Sequence, residues 1–194
     1  PVEEVLRDPE IEVVLNLTDP QAHTEVNTRV LEAGKHSYSE KPFGLDTASA
    51  RRVLELATAR GLHTGSAPDT FLGGAHQTCR KLLDRGAIGR VVSGTAFMMC
   101  HGHESWHPNP GFYYLAGGGP LFDMGPYYLT ALINLLGPVA EVAAINSRAF
   151  DERIATTPSI AGRRLPVEVN THVAGLLRFV SGAVITLVTS FDVW

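Results

Sequence analysis

Lys41 is one of three lysines in the chain, with Lys35 and Lys81, and it stands in the run Ser39-Glu40-Lys41-Pro42. A strand-like segment ends there and a proline stops it. In an open α/β sheet, ligands bind at the carboxyl ends of the strands. An ammonium at such a place can stabilise a charge or help move a proton. By itself the triplet reads better as a surface Glu-Lys pair at a strand end. A second set lies in Gly117-Gly118-Gly119-Pro120-Leu121-Phe122-Asp123-Met124-Gly125-Pro126-Tyr127. Asp123 and Tyr127 are four positions apart, which on one helix puts an acid and a phenol on the same face. Such a pair can pass a proton. The plainer reading is an aspartate complementing the helix dipole beside a half-buried tyrosine. The three glycines lack the Gly-x-Gly-x-x-Gly spacing of a dinucleotide turn, so a close-packing turn is expected.

His101, His103 and His107 form a third set, spaced as possible zinc ligands. Substrate contact or simple exposure ranks above metal binding, and no metal is expected. Trp106 beside His107 favours a ligand pocket, because an indole stacks and offers one donor.

The elements that must position these residues alternate at first. Residues 2–7 read as a helix end. Residues 11–17, Ile-Glu-Val-Val-Leu-Asn-Leu, read as a buried parallel strand. Asp19 is expected to cap the next helix, with Pro20 in its first turn. That helix has Ala22, Val26, Val30 and Ala33 as its apolar side and stops at Gly34. Residues 36–40 form a strand. Asp46 or Thr47 caps a helix striped by Ala50, Val53, Leu54 and Ala57, and residues 62–65 form a short strand. This β-α-β-α-β order predicts a parallel sheet.

From Ser66 the pattern changes. Ala75, Cys79, Leu82 and Leu83 mark a helix ending at Gly86, and 91–99 read as a strand. Residues 101–119 are a His-, Pro-, Gly- and aromatic-rich loop, and 121–136 one helix closed by Gly137-Pro138. Strands are expected at 141–150, 171–180 and 183–191, the last two joined by a Ser181-Gly182 turn. Residues 151–166 read as a long polar loop. The second part is therefore α+β with an antiparallel sheet.

The 194 residues allow one large domain or two small ones, and 44% hydrophobic with 19% charged residues is ordinary for a globular protein. A net charge of −4 implies no nucleic-acid face and no membrane-surface face. No apolar run spans a bilayer. Cys79 and Cys100 have no metal or redox spacing, which fits a reduced, cytoplasmic setting. The start, Pro1-Val2-Glu3-Glu4-Val5, is no signal peptide, lacks an initiator methionine and reads as mid-helix, as in a truncated or processed product.

Taken together, these segments resemble the Gfo/Idh/MocA oxidoreductases, the group of glucose–fructose oxidoreductase and inositol dehydrogenase. The run Asn16-Leu17-Thr18-Asp19-Pro20-Gln21-Ala22-His23 is similar to the family's cofactor-contacting turn. Glu40-Lys41-Pro42 matches its Glu-Lys-Pro signature, whose lysine is catalytic. Gly117-Gly118-Gly119 through Tyr127 resembles its Gly-Gly-Gly…Asp-x-Gly-x-His helix start, with tyrosine in place of the histidine. Glucose–fructose oxidoreductase and dimeric dihydrodiol dehydrogenase resemble the chain in having tyrosine there. The family's first strand and Gly-rich turn have no counterpart here. The resemblance implies the second half of a Rossmann parallel-sheet domain over 1–66, then a mostly antiparallel sheet domain with helices on one face over 67–194, incomplete at its C-terminus.

It also implies NAD or NADP as cofactor, with Asn16, Leu17, Thr18, Pro20, His23, Glu40 and Lys41 as its contacts. The substrate is a sugar or polyol, contacted by Trp106, His107, Tyr113 and Asp123, with Tyr114 as a further pocket residue. Lys41, Asp123 and Tyr127 are the catalytic candidates. A free phenol has a pKa of about 10, and a neighbouring ammonium such as Lys41 lowers it. Either Lys41 or Tyr127 is the base. A homo-oligomer, dimer or tetramer, is expected, and the chain alone is expected to be inactive. Competing readings are a non-catalytic cofactor-sensing or partner-binding member of the fold, and a metal-dependent enzyme using the three histidines.

Overall fold

A computed structural model describes residues 2–194. The chain divides into two compact units, Pro1–Pro68 and Asp69–Trp194.

In the first unit three short strands, β1 (Val13–Asn16), β2 (His36–Ser39) and β3 (Thr64–Ser66), pair in parallel in that order, so β2 is central. A helix α1 (Val2–Arg7) precedes them, and α2 (His23–Glu32) and α3 (Thr47–Ala59) are the crossovers. Leu31, Val53 and Ala57 are buried together against Phe43, Leu56 and Leu62. Asp46 caps α3 by accepting from Ser49 N at 2.7 Å, and Gly34 and Gly61 take the positive φ that ends α2 and α3.

Four expectations change here. Asp19 makes no side-chain cap; Pro20–Ala22 is a 3-10 turn and α2 starts at His23. The inner face of α2 is His23, Asn27, Val30 and Leu31, not an apolar stripe through Val26 and Ala33. On α3, Leu54 is exposed. Strand β1 is parallel, but Val13 and Leu15 are exposed, because α2 and α3 cover the opposite face. Lys35 is structural: its buried ammonium donates to Asp8 O at 2.6 Å and Ile11 O at 2.7 Å.

The second unit holds a four-stranded mixed sheet in the order β4-β9-β8-β5. Its strands are β4 (Ser93–Met99), β5 (Val139–Ser147), β8 (His172–Phe179) and β9 (Val184–Ser190). Strands β5, β8 and β9 run antiparallel, whereas β4 joins β9 in parallel. One face buries Leu177, Phe179, Ile185 and Leu187 under Tyr128, Leu129, Leu132 and Leu136 of α6 (Gly125–Leu136). The opposite face exposes Phe97, Met99, Ile145, Leu176 and Val184. A further helix, α4 (Gly74–Asp84), is fastened by Arg80 Nη1, which donates to Asn134 O and Leu135 O at the end of α6.

Residues 151–166 are not a plain loop. They contain the hairpin β6 (Glu152–Ile154) and β7 (Arg164–Pro166), whose Arg153, Ala155 and Leu165 are buried. Nor is 121–136 one helix. A one-turn α5 (Gly119–Asp123) ends at Met124, and α6 begins at Gly125. Pro126 has no N–H to give to Phe122 O, so the ladder breaks there.

Candidate active site

Each unit carries its own share of the candidate residues. In the first, two turns follow the carboxyl ends of adjacent strands: Thr18 after β1 and Lys41-Pro42 after β2. Asn16 shapes the first. Its Oδ1 accepts from Thr18 Oγ1 at 2.7 Å and from Thr18 N at 3.3 Å, while Nδ2 donates to Asn27 Oδ1 at 3.0 Å and His23 O at 3.2 Å. His23 joins the turns. Its Nδ1 lies 2.7 Å from Pro42 O and its Nε2 lies 2.9 Å from Thr18 O.

Asn16 and His23 are thus internal braces. His23 was expected to contact the cofactor, but it is wholly buried with both ring nitrogens against backbone carbonyls, so its side chain has nothing left for one. The side chain of Asn16, 2% exposed, is likewise spent inside the fold. Leu17 and Thr18 are exposed and Pro20, Glu40 and Lys41 half-buried at the same end of the sheet. Lys41 N donates to Glu40 Oε2 at 3.1 Å, and the Lys41–Pro42 peptide is cis. A hydroxyl, a carboxylate and an ammonium at the ends of parallel strands suit the ribose hydroxyls and carboxamide of a nicotinamide nucleotide.

In the second unit the triple glycine is a close-packing turn, as expected. A Cβ on Gly118 would stand 2.5 Å from Tyr113 O, and one on Gly119 (φ +81°) would stand 2.9 Å from Asn170 O. This lets the chain pass directly under residues 112–113 and delivers Asp123 and Tyr127 on two helices. The same-face pairing read from their spacing is therefore replaced by a junction at Met124. Asp123 Oδ2 lies 3.1 Å from His103 Nε2, with both side chains nearly buried. Tyr127 lines a cavity of about 410 Å³ with Thr70, His76, Met124, Tyr128 and Ala131.

The aromatic loop is arranged around His103. Ring centroids of Tyr113, Phe191 and Trp106 lie 4.1, 4.7 and 5.2 Å from it. Burial pushes the Tyr113 phenol up to about 12, and the charges of Asp123 and Tyr127 add to that. Trp106 is 59% exposed. His107 Nδ1 lies 3.0 Å from Asn109 N, and its ring meets Tyr113 edge-on. Tyr114 is corrected from pocket residue to core: it is wholly buried, donates its hydroxyl to Glu104 and accepts from His103 N at 3.2 Å. The three histidines have separate partners. His101 stacks on Trp194, centroids 3.6 Å apart, His103 meets Asp123, and His107 stays with Asn109.

Sequence reasoning missed the network behind this loop. The buried Arg153 guanidinium donates to Glu104 Oε1 at 2.7 Å, to His101 O and Phe191 O at 2.8 Å each, and to Asp192. Burial would raise the Glu104 carboxyl, but the Tyr114 hydroxyl and the Arg153 guanidinium outweigh it and hold it below its ordinary value. Thr70 and His76 beside Tyr127 were missed too. No local spacing announces either set.

A parallel sheet presenting polar turns at its carboxyl ends is the architecture of a nucleotide-binding domain, and here a helix-backed mixed sheet follows it in the chain. Residues 1–66 match the family described as Oxidoreductase family, NAD-binding Rossmann fold, and residues 76–194 match the GFO/IDH/MocA C-terminal domain. The chain belongs to the Gfo/Idh/MocA family of oxidoreductases. It is 26% identical over 196 residues to levoglucosan dehydrogenase of Pseudarthrobacter phenanthrenivorans, covering 93% of this chain and 49% of that one. It is 30% identical over 182 residues to D-glucoside 3-dehydrogenase of Escherichia coli, covering 87% of this chain and 49% of that one. Among solved structures, levoglucosan dehydrogenase in complex with NADH and L-sorbose superposes with a TM-score of 0.87 at 24% identity, covering 100% of this chain and 52% of that chain, a likeness in fold. The chain spans about half the length of these relatives.

Proposed function

We propose that this chain is part of a nicotinamide-dependent oxidoreductase that moves a hydride between NAD or NADP and a carbon bearing a sugar or polyol hydroxyl. The observation that carries the reading is the Glu40-Lys41-Pro42 turn at the carboxyl end of the central parallel strand, braced by His23, in a chain that matches both parts of the family. Relatives named as dehydrogenases of sugar compounds support the substrate class.

When bound, the nicotinamide supplies the hydride acceptor or donor. Leu17, Thr18, Pro20, Glu40 and Lys41 are the residues that hold it. Either Lys41 Nζ as the neutral amine or Tyr127 Oη as the phenolate takes the hydroxyl proton, and where Tyr127 is the base the Lys41 ammonium serves to stabilise negative charge. Asp123 orients the polar groups on its side of the second unit. Trp106, His107 and Tyr113 offer aromatic faces and donors to a carbohydrate.

The bare sheet face with Phe97, Met99, Ile145, Leu176 and Val184 supports a homo-oligomer, a dimer or tetramer, since contiguous apolar patches of this kind mark interfaces. Both cysteines are free, Cys79 exposed, which supports a reducing, cytoplasmic setting. Among the described residues no helix is long and apolar enough to cross a membrane.

The test is a panel of sugars and polyols with NAD and with NADP on the whole protein, read as reduced nicotinamide at 340 nm. Turnover of at least one is expected. Tight NADH or NADPH binding with no turnover across the panel would favour the non-catalytic, cofactor-sensing reading instead. In a parallel titration the present chain is expected to bind nicotinamide nucleotide more weakly than the whole protein. Equal affinity would place the phosphate cradle within these residues. Tyr127→Phe should lower kcat about 10²-fold with KM nearly unchanged. A change confined to KM would make Tyr127 a contact rather than the base.

A further inference from the structure

His103 lies in the loop after β4 and α5 ends at Asp123, and a hydrogen bond spans the two, Nε2 to Oδ2 at 3.1 Å. A carboxylate only accepts, so Nε2 carries the shared proton. The ring cannot turn away, because Tyr113, Phe191 and Trp106 wall it at centroid distances of 4.1 to 5.2 Å. Its backbone is pinned as well: His103 N donates to Tyr114 Oη, and His103 O accepts from His107 N at 3.0 Å. Nδ1 is buried with no hydrogen-bond partner among the described residues. A histidine placed only to fill this site would leave its polarity unused, and phenylalanine would pack there at lower desolvation cost.

Asp123 gains what that arrangement supplies. It sits at the helix junction where α5 stops, and its side chain is 12% exposed. Its charge reaches the phenol of Tyr113, which also feels Tyr127, and the thiol of Cys100. The groups facing the pair are therefore Tyr113 from the loop and Cys100 from the end of β4, and Tyr127 of α6 interacts with Tyr113 in turn. We propose that His103 is a positioning residue: its Nε2–H holds the Asp123 carboxylate in one orientation and so fixes the polar setting of the Tyr113 phenol and, through it, that of Tyr127. Its consequence for turnover rests on the oxidoreductase reading above; the bond and its effect on the tyrosines do not.

Two variants separate positioning from packing. His103→Phe keeps the aromatic wall and removes the donor, and His103→Gln restores an amide N–H near the place of Nε2. In the chain labelled with ¹⁵N-histidine, a protected His103 Nε2–H resonance is expected that disappears in Asp123→Ala. The ring resonances of Tyr113 and Tyr127 should move in His103→Phe and return in His103→Gln. Absence of the protected proton from the folded chain, or tyrosine signals alike in the two variants, overturns the proposal whatever the activity. In the whole protein, His103→Phe should lower kcat about 10- to 100-fold with KM values nearly unchanged, and His103→Gln should recover most of it. Equal losses in both variants, tracking their melting temperatures, would reduce His103 to packing. If the unsubstituted protein shows no turnover with any sugar or polyol, the functional reading fails and the resonance arms still decide the positioning claim.

Discussion

Lys41→Met in the whole protein is expected to lower kcat by about two to four orders of magnitude, with affinity for NADH or NADPH held within about threefold, a shift of about 0.7 kcal/mol. The separation of the two effects follows from how the turn is built. Its backbone is held by Glu40 through Lys41 N and by His23 through Pro42 O, and neither bond uses the Lys41 ammonium. Methionine matches the lysine stem in length, so the half-buried side chain keeps its packing while the charge is removed. The fold of the first unit should persist, as judged by an unchanged melting temperature. Stopped-flow measurement of hydride transfer, beside a fluorescence titration with reduced nicotinamide, separates chemistry from binding. Near-normal turnover in this variant would remove Lys41 from the mechanism, whichever group proves to be the base.

Arg153→Ala is expected to unfold the second unit under conditions where the unsubstituted chain is folded. Breaking a buried ion pair from one side typically costs about 3–5 kcal/mol, a large part of a small unit's stability. The side chain of Arg153 is 4% exposed and that of Glu104 6%. Removing the guanidinium leaves two carboxylates, on Glu104 and Asp192, and two backbone carbonyls, on His101 and Phe191, without their donor. Glu104 O also receives Thr156 N and both Thr157 N and Oγ1, so the loss spreads to the loop that carries His103. Urea unfolding followed by near-UV circular dichroism reads this unit through Trp106 and Trp194. A midpoint unchanged from the parent would show that the network contributes nothing.

The same network sets an acid limit. Glu104 is held below its ordinary value in the folded chain. Its contribution is therefore complete above the unfolded glutamate value of about 4.3 and is lost as pH falls through the lower folded value. The unit should lose stability steeply below about pH 4, and Glu104→Gln should flatten that slope.

Much of the fold was legible because its signals are local. The Asp46 cap, the positive-φ glycines after α2 and α3, and the Ser181-Gly182 turn each depend on a few neighbouring residues. The parallel order of the first unit followed from alternation of short apolar runs with capped helices. What escaped detection depended on distant partners. His23 and Asn27 occupy the inside of α2 because two turns need their hydrogen bonds, and no hydrophobic stripe signals that. His103 finds Asp123 twenty positions on, and Arg153 finds Glu104 at a separation of 49. The break at Met124 was written in Gly125-Pro126, but apolar residues on both sides suggested one continuous helix. The Glu-Lys-Pro turn stood out by composition, yet only the structure supplied its brace.

The parallel pairing of β4 with β9 has a consequence in time. β9 sits between β4 and β8 in the sheet, yet it is made after both of them. During synthesis β4 emerges long before the strand that will pair with it, so its edge, with Phe97 and Met99, must wait unpaired. Pairing across so much sequence closes a long loop and slows folding. The four strands β4, β5, β8 and β9 therefore join into one sheet only when β9 arrives.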